Sequence, residues 1–130
     1  MPIDVRIGTV DDRRSVLNVL DGAALETDHD RIRDRLAAGD VIVAVPEHGT
    51  GRILGACVLD GDRITAIAVR RRRRDQGIGT ALVRRAASER DRLVATVDAD
   101  VLPFYERLGF DVRKLENGRY AGVIETDSDT

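Results

Sequence analysis

Ala66-Ile67-Ala68-Val69-Arg70-Arg71-Arg72-Arg73-Arg74-Asp75-Gln76-Gly77-Ile78-Gly79-Thr80-Ala81-Leu82 runs from an apolar strand pattern through five arginines and a Gly-x-Gly turn into a helix. Ile78, Leu82 and Ala86 recur at i, i+4 and i+8, which predicts an amphipathic helix reaching about Arg90. Glycine at 77 and 79 permits positive φ and close backbone approach. The opening turn of any helix leaves main-chain N–H groups without intrahelical acceptors. Those amides and the helix dipole together suit a phosphate or pyrophosphate. Taken alone, the glycines also fit a plain strand-to-helix turn. Other glycine-rich phosphate loops fit poorly: no Gly-Lys-Ser/Thr closes the segment, and Leu82 stands where a dinucleotide fingerprint needs a small residue.

The segments on either side alternate in character. Ile3–Ile7 has period-two polarity and predicts a half-buried strand. Thr9 and Asp12 have capping-box spacing ahead of a helix carrying Val16, Leu17 and Leu20, which ends near Asp21-Gly22. A second helix is expected over about 28–38, with Ile32 and Leu36 on one face and Gly39 as its stop. Val41–Val45, Arg52–Leu59 and Arg63–Val69 read as three strands of an antiparallel meander, the last two joined at Asp60-Gly61. Downstream come a strand over Leu93–Val97 and a short helix capped by Asp100, with Pro103 in its first turn and Gly109 at its end. Phe110–Lys114 and Tyr120–Ile124 close the pattern around an Asn117-Gly118 turn. Residues 1–125 thus read as one α+β domain and residues 126–130 as a polar tail.

Composition bounds the function. The 130 residues are 42% hydrophobic, 34% charged and only 3% aromatic, so a core exists and is built of Val, Ile, Leu and Ala. Twenty-one basic residues, all arginine but Lys114, face 23 acidic ones, for a net charge of −2. The arginine and aspartate bias is a trait of GC-rich or salt-adapted genomes rather than of a function. That balance, with no aromatics among the arginines, argues against a nucleic-acid binder. Removing the five charges of Arg70–Arg74 from the net −2 leaves −7 on the rest. Such a patch favours a compact polyanion, although a run of this kind is also compatible with a solvated loop. The single cysteine, Cys57, excludes an internal disulfide and reads as a small buried hydrophobe. The sequence calls for no metal. The N-terminus has no signal-peptide core, and the longest apolar run, Val41–Val45, is too short to span a bilayer. A cytoplasmic protein without membrane or nucleic-acid partners is expected.

Ala66–Val69 followed by Arg74-Asp75-Gln76-Gly77-Ile78-Gly79 resembles the acetyl-CoA motif of the GNAT acyltransferases, Arg/Gln-x-x-Gly-x-Gly/Ala, entered from a strand and continued as a helix. Phe104-Tyr105-Glu106-Arg107-Leu108-Gly109-Phe110 resembles the family's second segment, aromatic-Tyr-x-x-x-Gly-Phe. Asp98 stands seven residues before the tyrosine, where the family often has Asn. The order of elements matches along nearly the whole chain. Three positions depart from the pattern: Arg71 replaces a common Pro, Asp75 a common Gly, and Val101 a common Ala. Asp75 is acidic beside a pyrophosphate site, and must point away or pair with an arginine.

The resemblance implies a GNAT-like fold: a central, mostly antiparallel mixed sheet of six to seven strands flanked by about four helices. It implies transfer of an acetyl group from acetyl-CoA to a primary amine, by direct attack while both substrates are bound. Amides from Gln76 through Gly77, Ile78, Gly79 and Thr80, assisted by Arg74, would hold the pyrophosphate, and Asp98 would border the cofactor. The edge at Ile67, Ala68 and Val69 would pair with the pantetheine arm, and the Val69 amide would polarise the carbonyl. Tyr105 would be the general acid that protonates the leaving thiolate. A lysine-like amine must first lose a proton, at a cost of about 4–5 kcal/mol at neutral pH. The strand carries no carboxylate for this, which leaves Glu26, Asp28, His29 or a water chain; His48 carries no assignment. The acceptor is a small-molecule or peptide amine, and family members often dimerise. A catalytically silent acyl-CoA-binding domain is the alternative, distinguished by cofactor binding without transfer.

Overall fold

Side chains of Val41–Pro46 (β2) alternate between two apolar environments, so both faces of the strand are covered. Ile42 and Ala44 face one cluster, Val41 and Val43 the other. The computed structural model describes residues 3–22, 29–47, 52–73 and 76–125. The other elements are β1 (Ile3–Ile7), α1 (Arg13–Gly22), α2 (His29–Ala37), β3 (Gly55–Asp60), β4 (Arg63–Val69), α3 (Ile78–Ser88), β5 (Arg92–Val97), α4 (Leu102–Arg107), β6 (Asp111–Lys114) and β7 (Tyr120–Glu125). The seven strands form one sheet in the order β1-β2-β3-β4-β5-β7-β6. Every neighbouring pair is antiparallel except β4–β5. Helices α1 and α2 bury Val16, Val19, Leu20, Ile32 and Leu36 on one face; α3 and α4 cover the other with Ile78, Leu82, Val83, Ala86 and Tyr105. The expected α+β sheet with four helices is the architecture found.

Several boundaries differ from expectation. The chain enters α1 through a 3-10 turn at Val10–Asp12, where the Thr9 amide donates to the Asp12 carboxylate at 2.8 Å. Strand β3 starts at Gly55 rather than Arg52. The Ile53 carbonyl is taken by the Arg70 guanidinium at 2.7 Å, which removes it from the ladder. Helix α3 stops at Ser88, where the serine hydroxyl donates to the Arg85 carbonyl at 2.7 Å. Asp100 does not cap α4: it lies inside a 3-10 turn over Ala99–Val101 that follows Asp98, and Val101 holds the N-cap position of α4.

One irregularity shapes the sheet. Leu59 stands opposite Ile64 and Val58 opposite Ala66, which leaves Thr65 as the extra residue of a bulge in β4. Its hydroxyl donates to the Val58 carbonyl at 3.2 Å. Pairing of β4 with β5 is limited to Arg63 with Val94 and Ile64 with Ala95, and stops at the residue before the bulge. Bulges bend the strand that carries them. Strand β4 accordingly diverges from β5, and a wedge opens between Thr65–Val69 and the end of β5.

Helix α3 packs across this face of the sheet, and Gly55 on β3 permits its approach. A Cβ there would lie 3.0 Å from the Ala68 carbonyl oxygen, 3.1 Å from Ile78 Cγ2 and 3.2 Å from Leu82 Cδ1. The oxygen is held in the ladder and cannot yield. Gly55→Ala is expected to destabilise the fold by about 1–3 kcal/mol through overpacking, read as a lowered Tm. Gly61→Ala is the reference: it has a positive φ but no atom within 4 Å of the added Cβ.

Candidate active site at the sheet opening

The phase of β4 is set by the Arg70 amide, which donates to the Leu54 carbonyl at 2.8 Å. Val69 opposite Gly55 is therefore a non-hydrogen-bonded pair, as is Ile67 opposite Cys57. The main-chain groups of Ile67 and Val69 point away from β3, into the wedge. Those of Ala68 turn to β3, and its side chain is buried in the cluster beneath α1 and α2.

At the far end of the wedge, Gly77 precedes α3 with φ 82°, the left-handed conformation that lets the chain reverse into the helix. Its carbonyl accepts the Ala81 amide at 3.0 Å. Gly79 is required for a different reason. A Cβ there would meet the Phe104 ring at 3.3 Å and Val69 Cγ2 at 3.9 Å. The end of β4, the first turn of α3 and the start of α4 thus converge within contact distance. Ile78 is buried as a core anchor, Thr80 is half-buried and Gln76 is exposed. Arg74 and Asp75 lie outside the described residues.

Tyr105 sits on α4, only 3% exposed, between Phe104 and Phe110 in two edge-to-face contacts with centroids 5.0 and 5.1 Å away. Burial, with the Cys57 thiol as a nearby second ionisable group, pushes its pKa up to about 12. Burial raises Cys57 to about 12 as well. Both groups stay neutral at physiological pH. Asp98 is separate from this trio. It is exposed, and its carboxylate accepts the Arg119 Nε–H at 3.0 Å, while Arg119 Nη2 donates to the Thr96 carbonyl at 3.2 Å. Of the candidate bases, His29 opens α2 and is exposed, whereas Glu26, Asp28 and also His48 lie outside the described residues.

Arg52 carries no signal in the sequence. Together with Asn18, Val69 and Arg70–Arg73 it lines an open cleft of about 650 Å3 on the α1 side of the β4 terminus. Only the β3–β4 pairing brings it beside a run that begins 18 residues later. Arg70 is tied down by the Ile53 carbonyl and by Asn18 Oδ1 at 2.9 Å. Burial and the neighbouring Arg52 charge lower its pKa. Among the described residues, no group of three or more His, Cys, Asp or Glu could hold a metal ion, and no helix is long and apolar enough to cross a membrane.

A strand edge thus diverges beside a glycine-led helix, with Phe104, the neighbour of the buried Tyr105, against that helix. The chain belongs to the GNAT acetyltransferase family: the family described as "Acetyltransferase (GNAT) domain" matches residues 37–112. No curated protein matches the chain in sequence. Among solved structures, it is similar to Rv2747 from Mycobacterium tuberculosis, in complex with CoA and NLQ, with a TM-score of 0.79 and 17% identity over 95% of this chain and 99% of that one. Ard1 from Thermoplasma volcanium gives a TM-score of 0.79 at 20% identity, over 98% of this chain and 100% of the other. Diaminobutyrate acetyltransferase EctA from Paenibacillus lautus, with L-2,4-diaminobutyric acid and coenzyme A, gives 0.75 at 14% identity over 95% of each chain. Likeness at these identities speaks to the fold.

The buried phenol makes its own prediction. In a Tyr120→Phe chain, whose remaining tyrosine is Tyr105, tyrosinate absorbance should rise near pH 12 rather than the ordinary value of about 10. The folded pKa lies above the unfolded one, so the native state holds this proton longer. Stability is therefore lost as pH rises from about 10 to about 12, and a Tyr105→Phe chain should lose less across that window.

Proposed function

We propose that the protein is an acetyl-CoA-dependent N-acetyltransferase that moves the acetyl group to a primary amine by direct attack in a ternary complex. The observation that supports this reading is the convergence of Val69 at the end of β4, Gly79 in the first turn of α3 and Phe104, the neighbour of Tyr105 on α4. Pantetheine would extend the sheet along Ile67 and Val69, with Ala68 as the spacer between them. Its pyrophosphate would meet the first-turn amides at Gly77, Ile78, Gly79 and Thr80, flanked by Gln76 and Arg74. The Val69 amide would face the thioester oxygen and stabilise the charge that develops there. Family membership supports acyl transfer in general, and CoA in two of the similar structures supports the co-substrate.

Attack of the amine nitrogen on the carbonyl forms the new C–N bond, and collapse of the tetrahedral intermediate breaks the C–S bond. Tyr105 would then give its proton to the thiolate. The raised pKa keeps the phenol protonated until that step; transfer to a thiolate whose conjugate acid lies near about 8.5 runs uphill, so the phenolate would regain its proton from solvent or from the proton that the ammonium gives up. Removal of the ammonium proton is assigned to water or to the segment between α1 and α2. Asp98, paired with Arg119, would border the co-substrate as a structural tie across the β5 end. The same reading takes residues 1–125 as a single domain with a polar tail, working in the cytoplasm on a small-molecule or peptide amine. The diamino acid in the EctA complex supports an amine of the former kind.

The test is acetyl-CoA turnover, read as free thiol, across amines, amino acids and peptides. CoA binding without transfer to any of them would favour the silent acyl-CoA-binding domain. Three variants check the assignments. Gly79→Val should abolish the rise in Tm that CoA gives to the parent, by crowding both the backbone approach and Phe104. Arg74→Ala should weaken CoA binding more than Arg72→Ala; equal, salt-sensitive losses would mean diffuse attraction instead. Tyr105→Phe should lower kcat by roughly 10–100-fold, the low end for a general acid, and keep CoA affinity within a few-fold. Full kcat in that variant would remove Tyr105 from the mechanism.

A further inference from the structure

The arginine-lined cleft lies at the end of β4, where Asn18 and Val19 of α1 border it. It is walled by α1 and by residues flanking β3 and β4, and among the described residues nothing from α3 or the glycine turn lines it. Five guanidinium groups, from Arg52 and Arg70–Arg73, border it without a single described carboxylate. This is an unusual concentration for a chain whose net charge is −2. Arg70 is held by a carbonyl and an amide oxygen, both uncharged, so its positive charge is not cancelled. Arg52, Arg71 and Arg72 are exposed and make no hydrogen bond or ion pair with any described residue. Like charges held together in this way repel one another, and an anion in the cleft relieves that repulsion. Guanidinium forks match carboxylate and phosphate oxygens two at a time.

Val69 lines the same cleft. A molecule seated there is therefore beside the residue whose amide is assigned to the thioester carbonyl. From this placement we infer that the acceptor is an anionic amine: a compact carboxylate or phosphate group on the substrate is gripped by Arg52, Arg71 and Arg72, which delivers its amino group toward Val69. This inference rests on the acetyltransferase reading and narrows its acceptor class. It gives the arginine run a role distinct from CoA binding.

The experiment pairs each anionic amine with a neutral counterpart: amino acids against their carboxamides, and aminoalkyl phosphates against the parent amino alcohols. The parent, Arg52→Gln and Arg52→Gln/Arg72→Gln chains are compared by thiol release and by CoA affinity. Both substituted side chains are exposed, and Arg52 is remote in sequence from the glycine turn. The parent should prefer at least one class of anion by about 10-fold or more in kcat/KM, as expected for a charge-assisted pair. The double variant should lose that preference through KM, with CoA affinity held within about 2–3-fold. The arm that shows the preference identifies the anion as carboxylate or phosphate. Equal use of charged and neutral partners overturns the inference, as does a loss of CoA affinity that parallels the loss of acceptor, which would assign the cleft to CoA. Calorimetric binding of the same amines to the CoA-saturated chain separates the two readings. Anion binding that the double variant abolishes, in the absence of any transfer, would retain the anion site and discard the acetyltransferase assignment. No anion binding and no preference would discard the site.

Discussion

The short seam between β4 and β5 is the constraint on which the rest of the site depends. Two residue pairs join the only parallel neighbours in the sheet, and the bulge at Thr65 ends their contact. Had β4 continued alongside β5, Ile67 and Val69 would lie within a β4–β5 ladder instead of at the sheet opening. The divergence has a structural cost, since a split sheet loses hydrogen bonds and needs something to hold its halves. Helix α3 supplies this by packing Ile78, Leu82, Val83 and Ala86 into the core that also contains β3 and β5 residues. Its close seat depends in turn on the bare Cα of Gly55. A bulge, a glycine and a helix thus act as one device.

The aromatic inventory is spent in one place. Only four residues of the chain are aromatic, and three of them, Phe104, Tyr105 and Phe110, stack edge to face at the mouth of α4. In a core otherwise made of aliphatic side chains, these rings fix the orientation of the phenol better than branched chains could, because their contact geometry is directional. Phe104 contributes twice, since it also borders the space that Gly79 leaves open.

Much of this was legible before any coordinates. Strands with clean alternation, such as Ile3–Ile7, and turns with obligatory glycines, such as Gly61 and Gly118, declare themselves locally. The bulge did not, because Ala66-Ile67-Ala68-Val69 is apolar on both faces and a shift of phase within it leaves no mark. The apolar Ile53-Leu54 pair looked like strand for the same reason, while its actual state depends on a guanidinium 17 residues away. Asp100 reads as a helix cap on paper, but it falls inside a 3-10 turn, and the Asp98 side chain ahead of it makes no capping bond. The Asp98 carboxylate is held by Arg119, 21 residues downstream. The glycine turn and the tyrosine were readable as motifs. The cleft was not, since Arg52 joins it only through strand pairing.

The near-absence of lysine acquires a chemical meaning next to such a site. A thioester acylates free amines without help, and a lysine-lined wall would be progressively capped by the co-substrate it sits beside, losing charge with each event. Guanidinium groups, protonated at all working pH values, offer no nucleophilic lone pair and keep their charge. Every cationic residue lining the cleft is arginine, and the chain's one lysine, Lys114, stands on β6 beyond β5 and β7 from the β4 edge. A wall of this composition would be inert toward a thioester held beside it, and its charge would not wear out with turnover.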